Sequence, residues 1–290
     1  MSRQIRSMTP SVENCANFDV LIVGAGFAGM YMLHKCRQLS LSTRVFEVGK
    51  GVGGTWYWNR YPGARCDVES VQYSYQFDTE LEQEWTWSEK YSTQPEILRY
   101  ANHVADRFDL RDNIQFETRV ISAEYSEADK LWVLETDRNE KVSSRYCVFA
   151  TGCLSSSNVP QFEGFETFKG LSYHTGRWPH EGVDFSGLRV GVIGTGSSAI
   201  QSIPEIAKEA NQLTVFQRTA NYTIPARNSE LTEDYVSSIK ADYPGLRERA
   251  RNKPAGYDIP LNSQSVLEVG REDANIEFQR RWELGGTQFL

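Results

Sequence analysis

The chain lacks any uninterrupted apolar run near the roughly 18 residues of a membrane-spanning helix. That argues against a transmembrane segment. Cysteine is scarce: the five thiols are Cys15, Cys36, Cys66, Cys147 and Cys153, an odd number with no CxxC spacing. A disulfide framework, a zinc site and a dithiol redox motif are all disfavoured by that pattern, and reduced thiols in a cytoplasmic protein are expected. Positive charge is in deficit, with 31 Lys and Arg against 38 Asp and Glu and a net charge of −7. Neither nucleic acid nor an anionic membrane is a natural partner for such a surface. The stretch 1–17 is polar and has no apolar core of a signal peptide, so it reads as a flexible lead.

What is present is an ordinary globular composition, 40% hydrophobic and 24% charged. Its length suits about two domains at roughly 150 residues each. Phe18–Val23 reads as a strand, Met30–Leu39 as a helix and Thr43–Glu47 as a second strand, a βαβ opening. The glycine-rich, aromatic stretch 49–67 has no period and reads as a loop. Thr93-Gln-Pro-Glu96 has the form of a capping box for a helix to about Phe108. Between Ile114 and Ala150 short strand-like segments at 115–117, 120–125, 131–136 and 146–149 predict a small antiparallel insertion. The opening pattern then repeats: a strand at Arg189–Ile193, a glycine turn, a helix over 198–210 and a strand at Leu213–Gln217. That helix is expected to bury Ile200, Ile203, Ile206 and Ala207 and to kink at Pro204. The sequon Asn221-Tyr-Thr223 carries no consequence in a cytoplasmic chain.

Both glycine turns sit between a strand and a helix, the context that a dinucleotide fingerprint needs. In the first, Gly24 allows the tight turn, Gly26 lets the backbone approach a pyrophosphate, and Gly29 lets helix and strand close together. The helix N-terminus attracts the phosphates. Glu47, at the end of the second strand, is placed to accept both hydroxyls of an adenosine ribose. In the second turn Gly194 and Gly196 are followed by Ala199 in the third glycine position, and the partner strand ends in Arg218 rather than an acid. A guanidinium there suits the 2′-phosphate of NADPH. The competing reading of Arg218 is a solvated surface charge. Two such sites in one chain imply hydride transfer between NADPH and a flavin, FAD. Ala150-Thr-Gly152 is similar to the turn by which flavoprotein chains leave the FAD domain.

A family resemblance rests on further residues. Phe168-Lys-Gly170 through His174 to Trp178-Pro179 matches the FxGxxxHxxxWP signature of Baeyer–Villiger monooxygenases, and Gly54-Thr-Trp56 through Tyr61-Pro-Gly63 to Asp67 resembles that family's second signature. Trp178-Pro179 favours this branch over related flavin monooxygenases. The resemblance implies two Rossmann-like domains, FAD then NADPH, with the antiparallel insertion and a helical C-terminal segment. The boundaries expected are 18–152 for FAD, 153–226 for the first part of the NADPH domain and 227–290 for the helical segment.

The resemblance also implies roles. Thr55 and Trp56 would lie against the flavin, with Tyr73 and the backbone at Val120 as further FAD contacts. Asp67 would orient an active-site guanidinium, and Arg65, Cys66 and Asp67 would border the nicotinamide. Thr195, Gly196, Ser197, Ser198, Ala199 and Gln201 would hold the NADPH pyrophosphate, with Arg218 and Thr219 on the 2′-phosphate. His174 would be a hinge or communication residue. The bland readings are packing for the tryptophans, a turn or cap for Asp67 and a structural role for His174.

The implied reaction converts a ketone to an ester or lactone with O2 through a C4a-peroxyflavin, in a dry site with a cation to stabilise developing negative charge. Family members are longer, and their catalytic arginine lies past the position matching Leu290. The fold is therefore expected to be incomplete relative to the family, with exposed edges open to self-association. An N- or S-hydroxylating monooxygenase and a non-catalytic nucleotide-binding remnant are the alternatives. The identity of the ketone is not written in these residues.

Overall fold

A computed structural model describes residues 15–260 and 264–289. Most of the expected flexible lead therefore lies outside the described residues. Its last two positions, Ala16 and Asn17, already belong to a strand. The chain divides into two compact units, one built from Met1–Asn59 and Leu98–Trp178, the other from Arg60–Ile97 and Pro179–Leu290.

The first unit opens with β1 (Ala16–Val23), α1 (Phe27–Gln38), β2 (Thr43–Phe46) and the single turn α2 (Thr55–Trp58). The stretch read as a loop thus holds one helical turn made of Thr-Trp-Tyr-Trp. After α3 (Thr79–Glu84) in the second unit comes α4 (Gln94–Arg107), then β3 (Ile114–Gln115), β4 (Val120–Ser126), β5 (Leu131–Thr136) and β6 (Lys141–Phe149). Glu96, read as half of a capping box, accepts from the backbone N–H and the hydroxyl of Ser88 at 3.0 and 2.8 Å.

These strands form one sheet in the order β3-β2-β1-β6-β5-β4. β1 pairs parallel with β2 and β6, whereas β4, β5 and the start of β6 form an antiparallel meander. The expected antiparallel insertion is consequently not a separate sheet. β6 is nine residues long, so its first half pairs with β5 while nearly its whole length pairs with β1. Val20, Ile22, Met30, Leu33, Cys36 and Val45 are buried in one core cluster, where α1 lies on the parallel strands. Their alternation along β1 and helical spacing along α1 produce that face.

In the second unit β7 (Arg189–Ile193) and β8 (Gln212–Phe216) pair in parallel, joined by α5 (Ser197–Glu209). α5 continues as helix through Pro204. Its buried residues are Ala199, Ser202 and Ile206, with Ile203 half-buried; Ile200 and Ala207 are exposed, contrary to the expected face. Small Ala199 faces inward, so the helix can close on its strands and the larger Ile200 turns outward. Ile193 and Phe216 are 68% and 57% exposed, so this two-stranded sheet keeps an uncovered apolar surface. Among the described residues three α-helices follow, α6 (Glu233–Ala241), α7 (Tyr243–Arg251) and α8 (Arg271–Leu284), within the segment expected to be helical. Among the described residues no helix is long and apolar enough to cross a membrane.

Candidate dinucleotide sites

The first site lies within the first unit. Gly24 has φ +104, and a Cβ there would come within 2.6 Å of the Ala150 carbonyl oxygen, so only glycine fits. A Cβ on Gly29 would overlap the Gly24 carbonyl, which is the close helix–strand approach expected of that position. Gly26 also has a backbone neighbour. Its Cβ direction points at Gly54, and a Cβ on Gly54 would lie 2.8 Å from the Gly26 Cα. The two glycine loops therefore pass backbone to backbone, and Gly53 donates to the Ala25 carbonyl at 3.1 Å. The Gly54 loop, and with it Thr55 and buried Trp56, is held against the start of α1.

Glu47 ties this arrangement together. Its Oε2 accepts from Ala25 N–H and its Oε1 from Gly49 N–H, both at 2.7 Å, and the residue is buried. Its first duty is thus to fasten the turn, a role the ribose expectation did not include. Each oxygen keeps a further lone pair for a ligand hydroxyl. Gly26 caps α1 with no side-chain hydrogen bond, so the helix N-terminus presents unsatisfied backbone N–H groups. A cradle lined by backbone donors, with one buried carboxylate at its edge, fits the pyrophosphate and ribose of a dinucleotide. Val120 stands at the start of β4, paired with Thr136.

His174 is also in this unit. Its Nδ1 accepts from Gly176 N–H at 3.0 Å, closing the short helical turn Thr175–Arg177. Trp178 is buried, with its ring 5.7 Å from that of Tyr173. The chain passes to the other unit immediately after it.

The second site lies within the second unit and is built differently. Gly194 (φ +102) and Gly196 have no atom within 4 Å of an added Cβ. Gly196 caps α5 without a side-chain hydrogen bond, and Ser197 and Ser198 begin the helix. The turn is held by two residues that sequence reasoning missed. Gln217 donates to Thr195 Oγ1 at 2.9 Å, and Asn221 Nδ2 donates to the Thr195 carbonyl at 2.9 Å. Asn221 had been visible only as a sequon. Arg218 and Thr219 are exposed, and among the described residues Arg218 makes no hydrogen bond or ion pair. An open anion-binding helix end with an unengaged guanidinium nearby in sequence fits a phosphorylated ribose.

Other expected residues of this unit are placed less simply. The Gln201 amide is engaged within the unit: its Oε1 accepts from the Tyr61 hydroxyl at 2.8 Å and from Arg65 N–H at 3.3 Å, while its Nε2 donates to the Arg65 carbonyl at 3.2 Å. The Arg65 guanidinium pairs with Glu89 at 3.2 Å. Cys66 is buried, its Sγ accepting from Val68 N–H at 3.4 Å, and burial pushes its thiol up to about 12. Asp67 is exposed, and its carboxylate makes no hydrogen bond or ion pair among the described residues. Tyr73 is half-buried, its backbone N–H donating to Glu69 and Ser70. Among the described residues no cluster of His, Cys, Asp and Glu could hold a metal.

Residues 21–277 match the pyridine nucleotide-disulphide oxidoreductase family. The chain belongs to this family. Its five cysteines are nonetheless all free. It is 43% identical over 272 residues to a Baeyer–Villiger monooxygenase of Pseudooceanicola batsensis, covering 93% of this chain and 50% of that protein. It is 42% identical over 276 residues to a phenazine N-monooxygenase of Lysobacter antibioticus, covering 94% and 51%. The structure of an oxidized steroid monooxygenase bound to NADP superposes with a TM-score of 0.91 at 55% identity, over 94% of this chain and 52% of that one. The chain spans about half the length of the curated relatives it matches. The resemblance to Baeyer–Villiger monooxygenases, and the α/β fold that it implied, are borne out.

Proposed function

We propose that this chain binds FAD at the Gly24–Glu47 turn and NADPH at the Gly194–Arg218 turn, and that it serves a flavin-dependent monooxygenase that inserts oxygen beside a ketone carbonyl. The observation that carries this is the pair of helix N-termini, α1 and α5, each capped by a glycine that contributes no side chain, so that backbone N–H groups remain for a pyrophosphate. When bound, FAD would accept hydride from NADPH and pass electrons to O2.

The roles of this chain's own residues follow from their chemistry. Glu47 keeps the first turn in shape and accepts from ribose hydroxyls. Trp56 and Thr55 pack against the flavin and exclude water. Arg218, with Thr219, gives the second site its preference for a 2′-phosphate through a charge-assisted contact. Asp67 orients a guanidinium near the reacting atoms, and His174 shapes the turn at which the chain changes units.

N-oxidation is a second reading with its own support, because the identity to the phenazine N-monooxygenase is nearly the same as to the Baeyer–Villiger enzyme. Ketone and amine substrates assayed side by side distinguish the two.

A visible absorption spectrum of the purified chain with and without FAD, followed by NADP+ and NAD+ titrations, tests the cofactor reading. Bound flavin and tighter binding of NADP+ than NAD+ are expected. Arg218→Ala should remove about tenfold to a hundredfold of that preference, the worth of one charge-assisted contact, and leave stability unchanged. A folded chain that binds neither nucleotide overturns the proposal.

A further inference from the structure

Gln201 sits one turn into α5, just past the open N-terminus of that helix, and its side-chain amide is committed elsewhere. It accepts from the Tyr61 hydroxyl and Arg65 N–H and donates to the Arg65 carbonyl, a two-way closure on one backbone residue. Gly63, at φ +75, lies so close that a Cβ would overlap the Gln201 carbonyl. The same loop is held from its other side, where Gln94 N–H donates to the Ala64 carbonyl at 2.7 Å. All of these residues belong to the second unit.

We propose that Gln201 is a positioning residue that latches the Tyr61–Arg65 loop to α5, so that nucleotide bound at the N-terminus of α5 is felt along the loop that leads to Asp67. This rests on the NADPH reading of α5. The physical basis is reciprocity: if the latch links two elements, ordering α5 by a ligand must order the loop, and loosening the loop must be visible without any ligand. An amide suits the task because it is both acceptor and donor. A carboxylate keeps the acceptor half and loses the donor half.

Limited trypsin digestion of the whole chain, read by mass spectrometry after Arg60 and Arg65, tests the latch. The cut after exposed Lys130, in the turn between β4 and β5, serves as internal reference. Gln201→Ala is expected to speed cleavage after Arg60 and Arg65 about tenfold, the factor for a net loss of one to two ordinary hydrogen bonds. Gln201→Glu should fall between it and the native chain, and cleavage after Lys130 should not change. NADP+ at saturation should slow loop cleavage in the native chain and fail to do so in Gln201→Ala.

Unchanged loop cleavage in Gln201→Ala overturns the proposal. So does a fall in NADP+ affinity with loop protection at saturation intact, which would make Gln201 a direct ligand contact. If the native chain binds no NADP+, the nucleotide reading fails and the coupling with it, whereas cleavage rates without nucleotide still decide the latch. If circular dichroism shows Gln201→Ala unfolded, Tyr61→Phe replaces it, with a rise of about threefold expected after Arg60 and no rise overturning the latch.

Discussion

Glu47 and Ala25 are joined by a buried hydrogen bond of 2.7 Å from the Ala25 N–H to the Glu47 carboxylate, whose other oxygen holds Gly49 at the same distance. The residue that a ligand's ribose would meet is thus the one that shapes the turn beneath its phosphates. Removing it affects folding before it affects binding. Glu47→Ala strands two backbone donors in the interior and should cost roughly 2–4 kcal/mol. Glu47→Gln should rescue only part of this, because its NH2 faces one of the two donors. Urea unfolding monitored by tryptophan fluorescence measures both. Native-like stability in Glu47→Ala would show that the carboxylate serves the ligand alone.

Gly196 offers the opposite case. Its backbone, φ −74 and ψ −178, is open to any residue, and a Cβ there meets nothing within 4 Å. Gly196→Ala should leave the melting temperature within a degree or two while weakening NADP+ by about tenfold or more, since the methyl occupies the space assigned to phosphate. Calorimetric titration measures it. Unaltered affinity would move the pyrophosphate away from this turn.

Arg247 and Glu82 form a buried ion pair at 2.8 Å, their side chains 8% and 7% exposed, with Ser74 accepting from the same guanidinium. The pair pins α7 to α3. Deleting one partner leaves the other charge buried, so Arg247→Ala and Glu82→Ala should each destabilise by about 3–5 kcal/mol. The double replacement Arg247→Met with Glu82→Leu should recover much of that loss. Chemical denaturation of the single and double variants decides the matter; a double variant as unstable as the sum of the singles would contradict a desolvation cost.

The thiols should react in an order set by burial. Burial raises Cys66 to about 12 and Cys147 to about 11, and it raises Cys36 as well, whereas Cys153 is exposed. At pH 8 a thiol ionising near 12 is thiolate in about one molecule in ten thousand, and only the thiolate attacks. Iodoacetamide followed by peptide mapping should label Cys153 first and leave Cys66 unmarked until the protein unfolds. Early labelling of Cys66 would show that the loop carrying it opens readily.

The sequence by itself determined the two strand–turn–helix units, the family and the positions of both glycine turns. Those signals are local: alternation along Val20 and Ile22, helical spacing along Met30, Leu33 and Cys36, and glycines where a side chain would strike the neighbouring backbone. Tertiary structure alone decided where the polar side chains go. Gln201 finds Arg65, Asn221 finds Thr195, and Glu96 reaches Ser88. It also decided that β6 joins the meander to β1 in one sheet, and that small Ala199 rather than Ile200 faces inward. The physical reason is range. A turn or a helical face is written in the sterics of a few adjacent residues, whereas an amide or carboxylate can satisfy its hydrogen bonds with many partners, and only the packed chain selects among them.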